Sequence, residues 1–151
     1  MLIELIYKGL LHKLNFTFLR NILMDAREVR FNFPELNFAM NIDEVIKTIN
    51  SNSYVDLIIN MDFLEIKEKI VPNVFINLSR NNDEIEVLFF LDLVDLKEAT
   101  PKSNIDYLKN WAIEFTKKYN IEYFVCQIDN AEKDEYYFDS NGIGKLYKEM
   151  H

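Results

Sequence analysis

The chain has 151 residues, 49% of them hydrophobic, and a net charge of −8. That length fits one domain over residues 1–151, with enough apolar side chains to bury a core without metals or disulfides. A single cysteine excludes an internal disulfide, three glycines leave little material for phosphate-cradling loops, and no apolar run reaches the ~18 residues of a membrane span.

The chain opens on MLIELIYKGLLHKL, which lacks the basic leader and small-residue cleavage site of a signal peptide and is expected to be folded protein. Within it, Ile3–Tyr7 fits a strand or a helix; periodicity does not choose. Leu14–Phe18 and Val29–Phe33 read as strands of a half-buried sheet. A helix is predicted over Ile42–Asn50. Asn41 is its cap, Glu44 stands at the reciprocal capping position, and Ile42, Val45, Ile46 and Ile49 share one face. The polar string NSNS at 50–53 ends it.

Tyr54–Phe63 alternates as a strand should. Leu57, Ile59, Met61 and Phe63 point one way, and Asp56, Asn60 and Asp62 the other, with Ile58 among them. VFINLSRNNDEIEVLFF then reads as a hairpin. With Asn81-Asn82 as its two-residue turn, Leu78 pairs with Ile85, Ile76 with Val87 and Val74 with Phe89 on an apolar face. Ser79 pairs with Glu84, Asn77 with Glu86 and Phe75 with Leu88 on the other. That second face is acidic near the turn and apolar further along, at Leu88 and Phe90.

The next helix is predicted over Asn104–Tyr119. Pro101 precedes it, Ser103 caps it, Asp106 serves as a shortened capping-box acid, and Asn120 is its left-handed stop. Its apolar stripe is Ile105, Leu108, Trp111, Ala112, Phe115 and Tyr119. Ile121–Ile128 is apolar on both faces, as a central strand is. Asn141–Lys145, NGIGK, reads as a turn into a last helix or strand. The order is α+β: a mainly antiparallel sheet with two principal helices packed on it, of which a ferredoxin-like variant is one arrangement. If both helices cover one face, the other stays available.

The residues give catalysis little to work with. His12 and His151 are the only histidines, and Asp92–Glu98 lacks the glycine and oxygen-ligand spacing of a calcium loop. Cys126 sits in an apolar strand without an electropositive niche, which suits a buried structural thiol. No catalytic, cofactor-binding or metal-ligating residue is assigned.

Charge is distributed unevenly. Residues 1–30 carry five bases and three acids, whereas residues 83–139 carry fourteen acids and six bases. Such a surface repels nucleic acid and anionic membrane and attracts basic partners. Within it, DNAEKDEYYFD sets acids around tyrosines, and tyrosine is a common interface anchor. Candidate partner-binding residues are Glu84, Glu86, Asp129, Glu132, Asp134, Glu135, Tyr136, Tyr137 and Asp139. The alternative is a solvated hairpin with one tyrosine packed inward.

In size, cysteine usage, the acidic stretch Asp83–Asp139 and the DNAEKDEYYFD cluster, the chain resembles the small immunity proteins of bacterial polymorphic and contact-dependent toxin systems. The lone Cys126 points to a reducing cytoplasm, and the resemblance implies a non-catalytic protein that neutralises a basic toxin domain, often a nuclease, by stoichiometric binding, its acids occupying sites otherwise used by phosphates. Two rival readings stand beside it. One is an enzyme or small-molecule-binding domain, which would show an enclosed aromatic-lined pocket with a perturbed acid or tyrosine at its base. The other is a homodimer that buries Leu88 and Phe90 across a twofold axis.

Overall fold

A computed structural model describes residues 1–36 and 41–151. The strands are β1 Leu2–Leu10, β2 Glu28–Phe33, β3 Tyr54–Ile66, β4 Lys69–Asn81, β5 Glu84–Asp92, β6 Tyr123–Ile128, β7 Tyr136–Asp139 and β8 Gly142–Ile143. The helices are α1 Thr17–Asp25, α2 Ile42–Ser51, α3 Pro101–Tyr119 and α4 Lys145–Lys148, with a 3-10 turn at Leu93–Leu96. The strands form one sheet, ordered β2-β3-β4-β5-β1-β6-β7-β8, and every pairing is antiparallel. The architecture is therefore α+β. Compared with the ferredoxin-like variant considered from the element order, the sheet is wider, with β2 and the β7–β8 hairpin at its edges.

The ambiguous opening segment is β1, a central strand between β5 and β6. Its alternation sends Ile3, Leu5 and Tyr7 into the core, with Val74, Ile76 and Leu78 of β4, Ile85, Val87 and Phe89 of β5, and Phe124 and Cys126 of β6. The same core takes Phe18, Leu19, Ile22 and Leu23 from α1, Val45 and Ile49 from α2, and the whole predicted stripe of α3. These helices thus pack on one face of the sheet. Polar ties hold the layer together. Arg20 pairs with Asp43 between α1 and α2, and the Tyr107 hydroxyl of α3 donates to the Ile66 carbonyl at the tip of the β3–β4 hairpin, 2.9 Å. Arg80 donates to the carbonyls of Ile49, Asn50 and Asn82, and so covers the C-terminal end of α2.

Four expectations need correction. Leu14–Phe18 is not a strand; α1 begins at Thr17, because Phe18, Leu19, Ile22 and Leu23 recur at helical spacing and all four are buried. β2 is an edge strand with almost every side chain exposed, not half-buried. The cap of α3 is Thr100, whose side chain accepts the Ser103 N–H; Pro101 lies inside the first turn and Ser103 reciprocates from N3. Asp106 instead accepts the Tyr147 hydroxyl, 2.7 Å.

The fourth correction is the hairpin register. Asn82-Asp83 forms its turn, so Ser79 faces Glu86, Asn77 faces Leu88 and Phe75 faces Phe90. A shift of two residues keeps each side chain on its own face, so alternation cannot detect it. Asn82 takes the left-handed conformation, φ 54°, which asparagine tolerates well. The turn is also docked: the Asn82 N–H donates to the Ser53 carbonyl and the Leu11 N–H to the Asp83 carbonyl.

Candidate protein-binding face

Because α1, α2 and α3 lie on one side, the other side of the sheet is lined by strand residues of the opposite parity. They fall into rows that cross the strands. The outermost row holds Tyr54, Asn81, Glu84 and Leu10. Next come Phe33, Asp56, Ser79, Glu86, Lys8 and Tyr123. The middle row is Arg30, Ile58, Asn77, Leu88, Ile6, Val125 and Asp139. The last is Glu28, Asn60, Phe75, Phe90, Glu4, Gln127 and Tyr136. An apolar band (Ile58, Leu88, Ile6, Val125, Phe75, Phe90) therefore crosses the face, with the carboxylates of Asp56, Glu86 and Glu84 on its turn side and those of Glu28 and Glu4 flanking Phe75 and Phe90 in the last row. Ile6 and Ile58 are buried by their neighbours yet stand outside the helix-side core, and Leu88 and Phe90 are partly exposed.

The predicted partner-binding residues divide into two groups on this frame. Glu84 and Glu86 stand at the turn end, where Glu86 faces Lys8 and Lys8 faces Tyr123. Asp129, Glu132, Asp134 and Glu135 occupy the β6–β7 loop, which leaves the sheet where Ile3 faces Ile128. Lys8 to Ile3 is five residues along β1, roughly 17 Å. Asp129, Glu132 and Asp134 are exposed, and Glu135 is half-buried, its carboxylate accepting the Glu132 N–H at 3.2 Å. None of these six acids, nor Asp139, makes an ion pair among the described residues.

Tyr136 and Asp139 lie on the open face, beside Gln127 and Val125. Tyr137 does not. A register shift between Cys126 and Gln127 lets both Tyr137 and Phe138 point inward. Tyr137 is 4% exposed, and its hydroxyl lies 3.1 Å from the Met1 sulfur. Burial, and next the nearby Asp139, push the Tyr123 phenol above its ordinary range.

Further residues join the face that the sequence alone did not assign to it: Glu4, Phe33, Tyr54 and Tyr123. The alternation of Tyr54–Phe63 sets Asp56 on the face opposite Leu57, Ile59 and Met61, and that alternation is the available clue. Knowing that Asp56 neighbours Glu86 across β4 requires the strand order.

Among the depressions lined by the described residues, two bear on function. One, about 570 Å³, lies on the helix side between α1, α3 and the outer half of β3, with exposed Met24 and Phe63 at its rim. The other, about 730 Å³, lies at the turn end of the open face. Among the described residues, no group of three or more histidines, cysteines and carboxylates converges to hold a metal. Cys126 is fully buried, and burial pushes its thiol far up.

Comparison with curated proteins finds no match. Among solved structures, the chain is similar to one from the crystal structure of the toxic C-terminal tip of CdiA from Pseudomonas aeruginosa in complex with immune protein. The TM-score is 0.72 at 17% identity, over 96% of this chain and 97% of that one. At that identity the likeness speaks for a shared fold. The model of a family described as PABL017 Cdi1I immunity protein matches residues 1–142. The chain belongs to the PABL017 Cdi1I immunity protein family.

Proposed function

We propose that this chain is a non-catalytic inhibitor, which neutralises a toxin domain in the cytoplasm by binding it one to one through the open face of its sheet. Family membership supports the immunity role. The carrying observation is the face itself: an apolar band in which Leu88, Phe90, Phe75 and Val125 are partly exposed, with Glu84, Glu86 and Asp139 near it and without an ion pair among the described residues. Apolar area there supplies affinity, and surplus negative potential speeds encounter with a basic partner. The partner is then a basic domain, with nucleases the leading class, and the acids stand where phosphates would. Glu84, Glu86, Asp129, Glu132, Asp134, Glu135, Tyr136 and Asp139 are the contact residues of this reading. Tyr137 supports their strand from within the core.

The test is co-expression with the cognate toxin domain, identified by screening the open reading frames next to this chain's gene for toxicity when expressed alone. Growth should be restored, and a one-to-one complex should be recovered by sedimentation. Growth arrest despite soluble chain would overturn the reading. So would a stable dimer of this chain, through Leu88 and Phe90, that persists and excludes the toxin domain.

A further inference from the structure

We propose that the depression at the turn end of the open face receives an arginine side chain of the toxin domain; this deepens the neutralisation reading and rests on it. Six strands place Phe33, Asp56, Ser79, Glu86, Lys8 and Tyr123 side by side, across about 24 Å of sheet. Ser79, with its short side chain, sits between the two carboxylates and makes the floor. Asp56 is fixed before any partner arrives: Asn77 donates to one of its oxygens at 2.6 Å and Asn32 to the other at 3.1 Å. Those neutral amides orient the carboxylate and leave its charge uncancelled. Glu84 adds a third carboxylate one row outward, next to Tyr54 across Asn81.

Aromatic rings border these acids. Phe33 and Tyr54 are 55% and 53% exposed, unusual for side chains of that size. The Tyr123 ring already takes a cation, with the Lys8 ammonium 5.9 Å from its centroid. Arg80, at the rim, is drawn to the helix side by the Ile49 and Asn50 carbonyls of α2 and held by the Asn82 carbonyl of its own turn. The volume of about 730 Å³ lies in the range of clefts that hold small ligands, about 300–1,000 Å³. A guanidinium fits both kinds of wall: its flat face stacks on rings, and its fork of N–H groups matches carboxylates. An ammonium uses only the charge.

The full chain, labelled with nitrogen-15, is titrated with N-acetyl-arginine amide and with its lysine and citrulline counterparts. Arginine should shift the amides of Ser79, Glu86 and Tyr123 saturably, lysine more weakly, and neutral citrulline not at all. The arginine response should be lost in Asp56→Asn/Glu86→Gln and weakened in Tyr54→Ala, whose ring is mostly outside the fold. An equal response to citrulline, shifts concentrated at Asp129–Glu135, or an unchanged response in both variants would overturn the pocket. The same variants are then measured against the toxin domain. A loss of at least about tenfold in affinity supports the proposal. Wild-type affinity in both variants removes the pocket and leaves the neutralisation reading standing; no complex even with the wild-type chain removes both.

Discussion

Tyr7 shows most sharply what burial does to one residue. Its ring stacks on Phe115 with centroids 4.5 Å apart and meets Phe89 and Trp111 edge-on. Its hydroxyl is buried and finds no partner among the described residues. An unpaired buried hydroxyl costs stability, so Tyr7→Phe should raise it by about 1 kcal/mol in chemical denaturation. A loss of that size would mean the hydroxyl is paired after all. Burial, and next the neighbouring Cys126, hold the Tyr7 phenol well above its ordinary value; burial alone raises the Cys126 thiol. The unfolded chain therefore releases protons that the folded chain keeps, and stability should fall as pH rises past about 9 to 10. Tyr7→Phe/Cys126→Ala should flatten that decline, and an equally steep fall in the double variant would contradict the assignment. A buried Cys126 was legible in its apolar surroundings. The opposite fates of Tyr136 and Tyr137 were not, because one irregularity between paired strands decides them and neither residue's own chemistry does.

Elements were legible where their instructions are local. Asn41 caps α2 by accepting the Glu44 N–H at 2.9 Å, as expected, because cap and donor lie within one turn. For α3 the same chemistry offers two starts, and the earlier one wins: Thr100 and Ser103 satisfy each other's N–H groups reciprocally, and proline suits the first turn. Thr100→Ala should cost about 1 kcal/mol by thermal or chemical denaturation, whereas Ser103 as true cap would leave it nearly silent. The β4–β5 register was illegible for a different reason: alternation has a period of two, and moving the turn by one residue shifts the pairing by two, so both candidate turns satisfy it equally. Cross-strand nuclear Overhauser contacts should join Asn77 to Leu88 and Ser79 to Glu86. Contacts from Asn77 to Glu86 would restore the Asn81-Asn82 turn.

The whole molecule brings together what the chain keeps apart. The open face draws on strands from residue 4 to residue 139, so its rows depend on strand order, which no local pattern encodes. Sequence reading found an acidic face with an apolar stretch, and both are present. It could not see that Glu84 and Glu86 lie at one end of that face and the β6–β7 loop at the other. The two groups therefore make separable predictions. Reversing Glu132 and Asp134, both exposed, to lysine should leave stability within about 0.5 kcal/mol, since exposed charges contribute little. It should slow association with the toxin domain, more at low salt than at high. An unchanged rate at low ionic strength would remove that loop from the steering.

The most direct measurement of how this chain would neutralise its toxin domain is carbodiimide footprinting of carboxylates, with and without that domain. Glu84, Glu86 and Asp139 on the open face should lose reactivity in the complex, while Glu114 of α3 and Asp43 of α2, on the helix side, should keep theirs. Protection of Glu114 and Asp43, with Glu84 and Glu86 as reactive as in the free chain, would place the interface on the wrong side of the sheet and contradict the account.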